Sequence, residues 1–264
     1  MPDSGGMHLV EFLSGQENSE FGELELFQAS ENTKLSAIGI ILAALYGVST
    51  LVPISAFLGA AGSISLTICL APLFGILLGP SKGFGFGLVA GVLQAFLSVF
   101  VFNISLVVPT VIFGPAVSGL FTGLALQKKA TVGDSSFPGP TVTAAYLFVI
   151  VLLYLIPNSS TWWFMSLYIV AAVTALALQT ADITFDWSKK GWRKYLQILP
   201  FTLIGTMTDF SMMTMGAVYI LSLPADLFGY VIFPLMLSER ITAVIISSIL
   251  SAVVLTAFPD VWET

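Results

Sequence analysis

Three ionisable side chains interrupt the apolar stretch 198–258 near the C-terminus: Asp209 in its first run, Glu239 and Arg240 in its second. A charge at bilayer depth costs at least ~2.5–3.5 kcal/mol, so each must face a partner or a wet cavity. Two carboxylates and one guanidinium suit the binding of a polar solute. A carboxylate there also suits ion coupling, with Asp209 or Glu239 as a proton site. The same residues suit a plain brace in which Asp209 and Arg240 neutralise each other. The sequence leaves these readings open.

Other chemistry has little to stand on. The chain holds one cysteine, Cys69, inside an apolar run, and one histidine, His8, in the polar N-terminal segment. That inventory excludes a disulfide framework and argues against a haem, copper or zinc centre. The turn "GILLGPSKGFGFG" lacks the Gly-x4-Gly-Lys-Ser/Thr pattern and follows no strand, so it is no phosphate loop. No Ser/His/Asp set or metal-spaced carboxylate pair is present. The expectation is a non-enzyme with no cofactor, no metal and no nucleic-acid partner.

Composition decides what positions the three charges. Hydrophobic residues make up 56% of the 264 and charged residues 9%, against about 25% charged in a soluble domain. The apolar runs are continuous rather than alternating, which predicts an all-α integral membrane protein and not a β-barrel. Seven of the fifteen acids lie in residues 1–34, an acidic N-terminal extension read as a tail or small cap. Residues 35–258 are expected to form the transmembrane helical domain, followed by a short tail at 259–264.

The runs predict a bundle of about eight spans, with six as the lower bound: 35–58, 64–79, 84–103, 106–126, 141–157, 162–181, 197–222 and 227–258. Pro53, Pro72, Pro109, Pro115 and Pro234 predict kinks or re-entrant pieces, and Pro234 an alternative start for the last span. With eight spans, Lys34, Lys82, Lys128, Lys129, Lys189, Lys190, Arg193 and Lys194 share one side, eight of the nine basic residues. The positive-inside rule then places both termini in the cytoplasm, in a multi-pass protein of the cell membrane. The stretch Lys128–Pro140 reads as a loop. Trp162 and Trp163, and Trp187 and Trp192 at the opposite side, read as interfacial belts.

Small residues recur every fourth position on two spans: Gly39, Ala43 and Gly47 on the first, and Gly83, Gly87, Gly91 and Ala95 on the third. Such a stripe lets another backbone approach closely. On the third span, packing against the chain's own helices is the favoured reading. On the first, an external protein partner competes with it.

Three stretches carry a family resemblance: "LAALYGVSTLVPIS" (Leu42–Ser55), "LLGPSKGFGFGLVAG" (Leu77–Gly91), and "IGTMTDF" with "PLMLSERITAVI" (Ile204–Phe210 and Pro234–Ile245). They resemble the substrate-binding S components of energy-coupling factor (ECF) vitamin transporters, the last pair being similar to archaeal members. The resemblance implies a component that captures a vitamin-like small molecule for uptake. It implies docking on a transmembrane T subunit driven by ATPase subunits, with Gly39, Ala43 and Gly47 as the docking face. Asp209, Glu239 and Arg240 would line or brace the substrate pocket. The family usually has six spans, which makes 141–181 an insertion or an overcount. The alternative from a different class is a non-catalytic structural or assembly subunit of a larger membrane complex.

Overall fold

Glycine and proline set the path of the first half of the chain. The computed structural model describes residues 33–50, 66–101, 108–132, 135–181 and 192–257. Helix α1 covers Thr33–Ser49, and Thr33–Ile38 belong to a separate unit, residues 1–38. Helix α2 covers Thr67–Phe96, but Gly79 inside it has φ 73° and ψ −176°. That backbone region is open to glycine and disfavoured for other residues. The chain reverses there: a methyl group on Gly83 would come within 2.7 Å of the Phe74 carbonyl oxygen, nine residues back. The expected break between the second and third spans is therefore one residue wide.

A π turn, Leu97–Val101, ends this arm. A 3-10 turn, Pro109–Phe113, leads into α3, Gly114–Leu126. Strands β1 (Ala130–Val132) and β2 (Ser135–Phe137) pair antiparallel, Ala130 opposite Phe137. This small hairpin corrects the expectation of a loop over Lys128–Pro140; β-branched Thr131 and Val132 favour the extended pairing. Helix α4 (Gly139–Asn158) and α5 (Ser166–Thr180) flank a 3-10 segment, Ser159–Met165. Thr161 leaves helical geometry, and Thr141 meets Gln179 at the far end, so α4 and α5 run antiparallel. Helix α6 covers Arg193–Tyr219. A π turn, Leu227–Ile232, runs straight into α7, Phe233–Ala257. Pro234 thus lies inside one continuous helical stretch, directly after the π turn, and has no N–H to give to the turn before it.

Among the described residues, four helical stretches are long and apolar enough to cross a membrane: Thr67–Val101, Pro109–Leu126, Gly139–Thr180 and Leu227–Ala257. The protein is thus an all-α membrane protein. Two of these stretches fold back within themselves, at Gly79 and at Thr161. Helix α6 is not among the four, because Thr202, Thr206, Thr208, Asp209, Ser211 and Thr214 dilute its apolarity.

The burial pattern follows the bilayer rather than water. Ile156 and Phe100 are each 75% exposed, and Ile241, Ile245, Ile249 and Val253 mark an exposed apolar edge of α7. The buried faces of α6 and α7 carry hydroxyls instead, among them Thr202, Thr206, Ser247 and Ser248. In a bilayer an exposed apolar surface costs nothing, and interior hydroxyls bond helix to helix.

Glycines bring backbones into contact. Methyl groups on Gly83, Gly87 and Gly91 would strike, in turn, Phe74 and Gly119, Pro115, and Ile112, all through backbone atoms. Gly75 lies equally close to Gly119 and Gly123. Helix α3 is thus held between the two arms of α2, as the reading of internal packing on the third span requires. On its other side α3 runs antiparallel to α6: Ser118 Oγ donates to the Gly205 carbonyl at 2.8 Å and Thr110 Oγ1 to Met212 at 2.6 Å.

The α4–α5 pair is no appendage. Leu147, Tyr154, Phe164 and Tyr168 form one buried cluster with Met207 and Phe210 of α6 and Met236 of α7. Tyr146 and Ser211 hydroxyls meet at 2.6 Å, Tyr168 and Thr214 at 2.8 Å. Trp162 is 61% exposed, whereas Trp163 donates its indole N–H to the Gly229 carbonyl at 3.2 Å. Trp192 is exposed; Trp187 lies outside the described residues.

Candidate functional site

Helix α7 presents Arg240 toward α6 on the face that also carries Met236, Ala243, Val244 and Ser247, the spacing of one helix side. Helix α6 answers with Thr206, Asp209 and Phe210, about one turn of surface. The two helices run antiparallel, since Thr202 Oγ1 meets Ser248 Oγ at 2.8 Å and Lys194 Nζ meets Thr256 Oγ1 at 3.4 Å.

The structure brings all three charges together. One terminal nitrogen of Arg240, Nη1, lies 3.6 Å from Asp209 Oδ2; the other, Nη2, lies 3.7 Å from Glu239 Oε1. Nη1 also donates to the Thr206 carbonyl at 3.2 Å. The guanidinium carbon stands 4.2 Å from the centre of the Phe210 ring, a cation–π contact strengthened by desolvation. The Arg240 side chain is 3% exposed, Asp209 12% and Glu239 19%. Arg240 Nε is buried and has no hydrogen-bond partner among the described residues.

Gly114, the first residue of α3, lets the Asp209 carboxylate in. A methyl group there would come within 2.5 Å of Asp209 Oδ1. Tyr168 of α5 stacks beside Phe210, with ring centres 6.3 Å apart. Cys69 and Ala243 pack together in a small buried cluster. The charges therefore sit where α3, α6 and α7 meet, with α2 and α5 packed alongside. Among the described residues no three His, Cys, Asp or Glu side chains form a metal-holding group.

Gly114 gives a direct test of this seating. Gly114→Ala is expected to displace the Asp209 carboxylate and to lower stability by about 1–3 kcal/mol, the usual cost of overpacking. Thermal unfolding checks it. In an Asp209→Ala background the same change should cost clearly less, because the clashing oxygen is gone.

The small-residue stripe of α1 is occupied from within the chain. Methyl groups on Gly39 and Gly47 would lie 2.5 Å from the Phe86 ring and 3.1 Å from Leu93, and Ala43 is 3% exposed. Gly39 and Gly47 thus face α2. The face of α1 left open carries Ile40, Ile41, Leu45 and Val48.

Sequence reasoning found the three charges but not Phe210, Thr206 or Gly114. The sole signal for Phe210 was its place beside Asp209, and a backbone carbonyl such as that of Thr206 leaves no trace in a sequence. No protein-family model, curated protein or solved structure matches this chain.

Proposed function

We propose that this protein is a membrane-embedded capture component for the uptake of a vitamin-like small molecule. It carries out no catalysis and works in the cell membrane with separate T and ATPase subunits. Eight crossings and cytoplasmic termini complete the reading. The observation that carries it is Arg240, buried among two carboxylates at membrane depth with one N–H donor unused. Buried charge of this kind is expensive, and binding a solute is a reason to keep it.

The helix directions support the topology. Gly123 meets Gly79 and Pro80, and Gln179 reaches the Lys128 carbonyl. Lys194 reaches Thr256. Lys82, Lys128, Lys129 and Lys194 then gather at one end of the bundle, as the positive-inside rule requires.

The brace that Arg240 makes between α6 and α7 favours the second reading, a non-catalytic structural or assembly subunit. Mass spectrometry of the gently purified protein separates the two. The capture reading expects a stoichiometric small molecule that is lost on Asp209→Ala or Arg240→Ala. A fixed set of membrane partners without ATPases, and no small molecule, would sink it in favour of the assembly subunit.

A further inference from the structure

The charge cluster is not balanced. Two carboxylates share one guanidinium, which leaves one formal negative charge in a membrane interior. Among the described residues Arg240 is the cation paired with these carboxylates, and the other basic residues, Lys34, Lys82, Lys128, Lys129, Lys189, Lys190, Arg193 and Lys194, all lie outside the eight spans read from the sequence. Lys194, the nearest of these along α6, points to Thr256 at the opposite end of α7 from Arg240.

The guanidinium contacts are also incomplete. Both carboxylates stand beyond 3.5 Å from their nearest Arg240 nitrogen, longer than the 2.7–2.9 Å of a tight charged hydrogen bond. Each keeps lone pairs for another partner. Glu239 is the most exposed of the three. Independently, the buried Nε–H asks for one oxygen acceptor, since an unpaired buried donor costs about 1–3 kcal/mol.

We propose that Asp209 and Glu239, spread by Arg240, form a site for one monovalent cation, whose accompanying oxygen accepts from Arg240 Nε. The cation is either a free alkali ion with its water or the ammonium group of an amine-bearing molecule that also holds an oxygen. In the second form this deepens the capture reading and rests on it. The guanidinium then keeps the two carboxylates apart and positions the acceptor, so a molecule with only a negative group is rejected.

The full-length protein in lipid nanodiscs, washed free of small molecules, is unfolded thermally in three chloride salts at equal ionic strength: N-methylglucamine, sodium and methylammonium. The expected result is a saturable rise in the unfolding midpoint of roughly 5 °C over N-methylglucamine, the size expected for a ligand well above its Kd. A rise in sodium alone assigns the site to the free ion. A rise in methylammonium assigns it to an amine. Glu239→Gln and Asp209→Asn keep the shape and remove the extra charge, so each flattens the response and is at least as stable as the wild type in N-methylglucamine. Identical midpoints in the three salts, or a response retained by both variants, overturn the proposal. A co-purifying small molecule without any cation response leaves the capture reading standing and removes this one. A cation response without such a molecule does the reverse.

Discussion

Gly119→Ala is expected to prevent the protein from accumulating in folded form, or to lower its stability by about 3 kcal/mol or more. A methyl group at Gly119 would meet the carbonyl, carbonyl carbon and Cα of Gly83. Those atoms belong to a backbone, which has no rotamer with which to yield. Helices α2 and α3 would have to separate, and the Ser118–Gly205 and Thr110–Met212 bonds hold α3 against α6 on the other side. Gly85 is the internal control, because a methyl group there meets nothing within 4 Å. Gly85→Ala should be neutral, or stabilising by about 0.5–1 kcal/mol from helix propensity. Monodispersity in detergent and thermal unfolding of the pair measure the contrast. Equal behaviour of the two variants would mean that the helices are not in backbone contact.

Removing Arg240 is the second large effect. Arg240→Ala leaves two carboxylates without their cation and is expected to cost about 3–5 kcal/mol, as for other broken buried pairs. It also removes the stem and the planar group stacked on Phe210. Lysine is a poor substitute. Its single ammonium cannot reach two carboxylates through separate nitrogens or stack as a plane. Arg240→Lys should therefore lie between the wild type and Arg240→Ala in unfolding midpoint. Adding Asp209→Asn and Glu239→Gln to Arg240→Met should recover much of the loss, because the uncompensated charge is then gone. Recovery identifies electrostatics as the cause. Failure to recover would point to packing around Phe210 instead.

Much of this protein is legible from residue types alone. The excess of apolar over charged residues demands a bilayer, and the bilayer demands helices, because backbone groups in hydrocarbon must pair within the segment. The cost of intramembrane charge singles out Asp209, Glu239 and Arg240 before any fold is known. Gly79-Pro80 announces a reversal, since proline disfavours helical geometry in the residue before it and glycine is free to leave it. The stripe Gly83, Gly87 and Gly91 announces a close backbone contact.

What a stripe touches is a different matter. The first and third spans carry similar small-residue spacing, and periodicity reports only that one face is smooth. Only the fold set Gly39 and Gly47 against Phe86 and Leu93, and Gly83 and Gly87 against α3. The same holds for the charges. Asp209 and Arg240 stand thirty-one positions apart in the sequence, and either could have faced another helix. Their meeting, the ring of Phe210, the Thr206 carbonyl and the opening left by Gly114 arise from the antiparallel packing of α6 on α7 and α3. Local residue chemistry determined which groups had to be hidden from lipid; long-range packing, which no local pattern encodes, decided what each was hidden against.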